Sequence, residues 1–388
     1  MTDIAIASTD KLNGDAGDFL GSEIRKQLKG APDALIVFAA PENNYSELLQ
    51  SLSTSAGTKT IVGCSSAGEF TNSGSGNGLT CAIALRSPQM RFAATLGRNL
   101  SDDRKAAADQ MSSNFSGLKS SEFKHRAAIV FIDALAGHSD DLIDQLTTCT
   151  AGTYRFVGGG AGDNARFEKT HVFCGTEAFS NAAVAMEILS QKPLGIGARH
   201  GWTPASEPLR VTDSDVASVR TFNIAPAVEA FQDHAAATDQ EFDANNPLPF
   251  FLHNIVGVKT ESGHKLRVPL GVSDGGGVIT AAEVPSGSTA CIMSTGSDSA
   301  AKAAADATRD AMKQVEDNGD TPRAALFFDC VATRLRLGSD FDNELDAVGK
   351  ELHGIPFAGF NSYGQIVRSQ GQFSGFHNCT AVACVFPD

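Results

Sequence analysis

Three runs of five apolar residues punctuate the chain: "ALIVF" from position 34, "AAIVF" from 127 and "AALFF" from 324. Uninterrupted apolar stretches of this length predict strands covered on both faces. Each run follows a segment of helical period. The apolar stripe is Leu20, Ile24 and Leu28 in the first, Ala107, Met111, Phe115 and Leu118 in the second, and Ala301, Ala305, Met312 and Val315 in the third. Gly30, Gly117 and Gly319 stand where C-terminal glycines stop helices. A second helical stripe comes after each run: Leu48, Leu49 and Leu52, then Leu142, Ile143 and Leu146, then Leu345, Val348 and Leu352. The chain next enters an apolar run that breaks at glycine and serine: "IVGCSSAGEF" at 61, "FVGGGAGDNA" at 156 and "FAGFNSYGQI" at 357.

With opening strands "DIAIAST", "RFAATLG" and "ACIMSTG", and closing strands "LTCAIAL", "NAAVAMEIL" and "CTAVACVF", the pattern reads strand, helix, strand, helix, strand, strand, three times over. The copies span 2–87, 88–190 and 289–388. A helix between successive strands implies parallel pairing, so the expected fold is α/β, three repeated βαβαββ units with parallel sheets. Residues 191–288 repeat nothing; short β-like runs and one helix near "PAVEAFQDHAAATD" mark an inserted β-rich segment. Two domains are expected, 1–190 with two units and 191–388 with the insert and the third unit.

Composition narrows the function. A net charge of −14 with no cluster of Lys and Arg argues against nucleic acid or an anionic membrane as partner. The amino-terminal residues lack a basic and apolar leader pattern, and no stretch has the apolar length of a membrane span, so a cytoplasmic location is expected. The eight cysteines are scattered through apolar strands with no C-x-x-C, as buried thiols would be. Metal-ligand spacings of His and Cys are absent.

The elbows lie at the carboxyl ends of buried strands, where open α/β sheets place ligands. Gly63, Cys64, Ser65 and Ser66 in the first, Gly158, Gly159 and Gly160 in the second, and Asn361 and Tyr363 in the third are therefore expected to line a ligand pocket. Glu69 and Asp163, with Asn164 beside it, either accept from a ligand's amine or hydroxyl groups or cap the following segment. A second reading makes Cys64 or Ser65 the nucleophile of a hydrolase or thiol-dependent transferase, since "GCSSA" nearly meets G-x-S-x-G. The other two elbows share no nucleophile, and no Lys follows "GGGAGDN" as a phosphate loop requires.

The motifs "IVGCSSAGEF", "FVGGGAGDN", "GARHGWTP" and the terminal run "AALFFDCVATRLRLG…GIPFAGFNSYGQI…FHNCTAVACVF", in that order, resemble the FIST family of bacterial sensory domains. Residues 1–190 correspond to its N-terminal half and 191–388 to its C-terminal half. The resemblance implies a non-catalytic protein that binds a small molecule and regulates a separate histidine kinase or cyclic-dinucleotide enzyme. Stand-alone members of about this length include haem-based nitric-oxide sensors, and similarity to that branch implies haem as a cofactor. An axial ligand would then be His200, beside Arg199 and two residues before Trp202, with His253 and His234 as alternatives. Gln365 departs from the family's usual glutamate, and "NIAPA" at 223–227 departs from its usual Asp-Gly before Pro-Ala.

Overall fold

The computed structural model describes residues 1–216, 218–261, 263–296, 298–369 and 374–388. Each five-residue apolar run becomes the central strand of a six-stranded sheet. The first stretch runs β1 (Asp3–Thr9), α1 (Asn13–Leu28), β2 (Ala34–Ala39), α2 (Tyr45–Ala56), β3 (Ile61–Ser65), a hairpin of β4 (Glu69–Thr71) and β5 (Gly74–Gly76), and β6 (Thr80–Arg86). Every residue of β2 is buried, as its uninterrupted apolar sequence demands. The second stretch repeats this order with β7 (Met90–Arg98), α3 (Arg104–Ser113), β8 (His125–Ile132), α4 (Ser139–Cys149), β9 (Arg155–Gly160), the hairpin β10 (Val172–Cys174) and β11 (Glu177–Phe179), and β12 (Ala182–Ser190).

Sheet order is β1-β6-β2-β3 in the first and β7-β12-β8-β9 in the second. Only β2–β3 and β8–β9 run parallel in these stretches; β6 and β12 pair antiparallel with both neighbours. The sheets are therefore mixed, with one parallel pair each, because the hairpin after the elbow reverses the chain before its closing strand.

The third sheet differs from the sequence expectation at its opening strand. That place belongs to β13 (Gly195–Arg199), antiparallel to the closing strand. "ACIMSTG" instead forms β22 (Thr289–Thr295) of the insert. It is paired with β14 (Trp202–Pro204), β15 (Leu209–Asp215) and β18 (Asn254–Thr260) in a nine-stranded sheet. That sheet also contains β16 (Ser218–Phe222), β17 (Ala225–Pro226), β19 (Gly263–Arg267), β20 (Pro269–Val272) and β21 (Val278–Thr280). Two helices, α5 (Ala227–Ala237) and α6 (Leu248–Phe251), bury Phe231, Phe250 and Phe251 against it. The short "GIGAR" carries little hydrophobic signal, yet its glycines have a packing reason. A Cβ on Gly195 or Gly197 would lie 1.9 Å from the carbonyl oxygen of Ala311 or Ala307 on the helix above.

The chain then completes the third sheet with α7 (Ser299–Asp317), β23 (Pro322–Cys330), α8 (Val331–Leu337), α9 (Phe341–Glu351), β24 (Phe357–Ser362), the hairpin β25 (Gln365–Arg368) and β26 (Ser374–His377), and β27 (Ala381–Pro387). Its β23–β24 pair is parallel. The buried stripe of α7 is Ala300, Ala304, Ala307 and Ala311 with Met312 and Val315, so Ala301 and Ala305 sit at its margin. Likewise α3 stops at Ser113, leaving Phe115 buried beyond its end and Leu118 exposed.

Each sheet is finished by a hairpin from another stretch. The β4–β5 hairpin extends β24, β10–β11 extends β3, and β25–β26 extends β9. The three sheets are thus laced into a ring. Their inner faces meet in one core where Phe38 stacks on Phe360 at 4.5 Å between centroids and meets Phe131 edge-on at 5.5 Å. Helices cover the outer faces. No described helix is long and apolar enough to cross a membrane.

Candidate functional site

Lacing brings the three elbows together. Gly162 N–H donates to Ser65 O at 2.9 Å and Asn164 N–H to Ser66 O at 3.2 Å, joining the second elbow to the first. Ala67 N–H donates to Asn361 O at 3.0 Å and Asn361 N–H to Gly68 O at 2.8 Å, joining the first to the third. Gly160 N–H donates to Gly364 O at 2.7 Å and Tyr363 N–H to Gly160 O at 3.0 Å, closing the triangle. Backbone groups that a ligand would have used are thus satisfied by one another. The glycines serve close packing: a Cβ on Gly159 would lie 3.0 Å from Ser362 Cβ, and one on Gly160 2.7 Å from Ala134 Cβ. Gly63 and Gly158 press against the carbonyl of the neighbouring parallel strand.

Side chains of the elbows divide by face. Cys64 points into the central core, fully buried, and burial pushes its thiol well above the ordinary range. Ser65 Oγ accepts from His171 N–H at 2.9 Å and is equally buried. Neither is placed to attack a substrate, so the nucleophile-elbow reading fails on geometry. Asp163 is a cap: it accepts from the backbone N–H groups of Phe167 at 2.9 Å and of Glu168 and Lys169 at 2.8 Å, and from the Tyr363 hydroxyl. Tyr363 stacks on Phe167 at 4.4 Å, and Asn164 Nδ2 donates to Asn77 O at 2.9 Å. Glu69 is fully buried, accepting from the Ser66 hydroxyl and from Leu79 N–H at 3.0 Å; burial pushes its carboxyl up to about 7.

Beside this knot, on the outer face of the third sheet, lies a polar cleft. Asp329 and Asn361 are register partners at the carboxyl ends of β23 and β24, and both are buried. Helix α8 follows at once, so its arginines diverge from that point. Arg334 Nη1 donates to Ala67 O in the knot, while the Arg336 guanidinium sits 5.5 Å from the Trp202 ring. Glu344 descends from α9 to face Asp329, itself buried. Arg336 Nε and Asn361 Nδ2 have no acceptor, and Asp329 Oδ2 and Glu344 Oε2 receive no N–H or hydroxyl, which leaves the two carboxyls to each other. Burial pushes Asp329 up to about 8 and Glu344 well above the usual carboxylate range. Two carboxyls facing each other away from water raise one another's pKa, so ionising both together is disfavoured.

His200, Arg199 and Trp202 line the same cleft. Arg199 pairs with Asp310 at 2.5 Å, and His200 Nδ1 accepts from Trp202 N–H at 3.3 Å. The room left among them is about 10 Å³, the space of about one water. Any ligand larger than a water, haem included, would need the cleft to open. His234 is buried with Nε2 3.0 Å from Asn254 Oδ1, and His253 lies exposed at the turn into β18. Among the described residues no group of three His, Cys, Asp or Glu side chains could hold a metal ion.

Sequence reasoning passed over Asp329, Arg334, Arg336 and Glu344. The signal was a fully apolar strand ending in Asp and running into "VATRLRL", an extra helix between strand and expected helix.

No curated protein sequence matches the chain significantly. Among solved structures, T. maritima PurL complexed with ADP aligns over 100% of this chain and 71% of its own, at 10% identity and TM-score 0.24. PurLQS from Thermotoga maritima aligns over 100% and 72%, at 11% identity and TM-score 0.23. Likeness that slight says nothing about fold or function. Family models are informative: the FIST N domain matches residues 33–224 and the FIST C domain residues 227–368. With both halves matched in order around the laced sheets, this chain belongs to the FIST family of sensory signal-transduction domains.

Proposed function

We propose that the protein senses a small zwitterion, of amino-acid type, in the cleft formed by Asp329, Arg336 and Glu344, and reports to a separate histidine kinase or cyclic-dinucleotide enzyme. One observation carries the reading: a buried guanidinium nitrogen without a partner, Arg336 Nε, and a buried pair of carboxyls, Asp329 and Glu344, line one cleft. Native interiors rarely leave such groups unmatched unless something else meets them. An ammonium group between them would satisfy both carboxyls, and a ligand carboxylate would meet Arg336 and Asn361. Trp202 closes the cleft, so the ligand-bound form needs the β14 segment of the insert to lift. That displacement is the signal a partner would read. This reading calls on no haem.

Binding should release a proton and strengthen as pH rises from neutrality, because the pair must lose its proton to receive a cation. Calorimetry with a panel of amino acids in buffers of different ionisation enthalpy checks this; binding without proton release would sink the proposed arrangement. Glu344→Gln is expected to abolish binding and to raise stability. A carboxyl whose folded pKa exceeds its unfolded one loses stability as pH climbs above the unfolded value. The gain should therefore be larger at pH 8 than at pH 4, where both forms are protonated and it vanishes. Urea melts at the two pH values measure it.

A further inference from the structure

Opposite the elbows, at the amino ends of β8 and β9, the surface opens into a cavity of about 760 Å³. Lys124, His125, Arg126, Arg155 and Arg368 line it, and no Asp or Glu does among the described residues. In a chain of net charge −14, the four cations Lys124, Arg126, Arg155 and Arg368 gather there without a lining carboxylate among the described residues. Among the acids near these cations, Asp320 pairs with Lys192 at 2.9 Å, Asp144 faces Arg368 from α4, and Glu187 accepts from the Tyr154 hydroxyl. Arg155 is fixed in place by Leu194 O at 2.6 Å and Gln314 Oε1 at 2.8 Å, and Arg126 by Ser120 O at 3.1 Å. The Nε atoms of both are buried without a hydrogen-bond partner.

We infer that this cavity is a second ligand site, for a small organic phosphate carrying two or more phosphate groups. Its volume is that of a pocket for a nucleotide-sized molecule. Planar guanidinium groups match phosphate oxygens two at a time, and several fixed cations favour a multiply charged anion over a single carboxylate. The site is separate from the zwitterion cleft, being at the other end of the strands and built mainly from the second sheet, so either can fail without the other.

Isothermal titration of the full chain with inorganic pyrophosphate and with magnesium-free ATP tests the inference. Both should bind more tightly than about 1 mM, ATP the better of the two, with affinity falling as salt is raised. Arg368→Ala and Lys124→Ala, whose side chains hold no strand in place, should each weaken binding about tenfold while leaving the melting temperature unchanged. Lys302→Ala, on the surface of α7, should change nothing. No heat or chemical-shift change with either probe at millimolar concentration would overturn the assignment. So would citrate binding as tightly as pyrophosphate, or full affinity in the Arg368 variant.

Discussion

Alanine at Gly63, Gly158 or Gly359 is expected to destabilise the fold by at least about 3 kcal/mol each, more than ordinary overpacking. The three occupy the same place in the three elbows, the third residue of "IVG", "FVG" and "FAG". A Cβ there would lie 1.9 Å from Val37 O, 1.9 Å from Val130 O and 1.8 Å from Phe327 O. Those carbonyls belong to the central strand of each sheet, which is buried at these positions and fixed by neighbours on both sides, so it cannot retreat. Loss at any of the three positions should loosen all three sheets, because each is completed by another's hairpin. Gly349→Ala is the control: its Cβ meets nothing within 4 Å on α9, and a gain of about 0.5–1 kcal/mol is expected from helix propensity. Urea unfolding of the four variants decides it. Near-native stability in the three elbow variants would mean that the close strand approach is not a structural requirement.

Removing the Arg267 side chain should cost about 3–5 kcal/mol, the range for breaking a buried ion pair by one partner. Arg267 is among the largest fully buried side chains, with 1% of its surface exposed. From β19 of the insert it donates to Glu283 O at 2.8 Å and Phe376 O at 3.0 Å, and to the Asp140 carboxylate at the start of α4. Asp140 also accepts from Lys265 Nζ at 2.9 Å and Phe376 N–H at 2.7 Å. One carboxylate thereby ties the insert, the second stretch and the third hairpin together. Burial works to raise the Asp140 pKa, but Arg267 and Lys265 prevail and hold it below the usual range. Its contribution is therefore present above the unfolded carboxylate value near pH 4 and is lost as pH falls through the folded one. Arg267→Ala should also separate unfolding of the insert from that of the ring. Fluorescence of Trp202, in the insert, and far-ultraviolet circular dichroism would then give two midpoints. Coincident transitions with wild-type stability would show that the insert is held elsewhere.

Much of the architecture was legible because its signals are local. Ala34–Phe38 reads as a covered strand from five adjacent apolar residues, and Leu20, Ile24 and Leu28 read as one helix face from their spacing alone. The opening strand of the third sheet was misplaced for an equally local reason. "GIGAR" is short and glycine-rich, whereas "ACIMST" has the stronger pattern and merely belongs to another sheet. Of the expected site residues, the elbow positions do converge. Their glycines and serines, however, are engaged with one another, and Asp163 takes the capping role of its two readings.

The sequence by itself determined the order of strands and helices, the acidic balance and the family motifs, since each depends on neighbours within one turn or one strand. Only the tertiary structure decided which sheet each hairpin completes. Edge pairing is set by spatial proximity and is satisfied equally well by a strand close or distant in the chain. It likewise decided that Asp329 and Glu344 face each other as a buried pair with raised pKa values. Fifteen positions apart along the chain, the two meet because β23 ends where α9 crosses it, and the exclusion of water between them changes their chemistry.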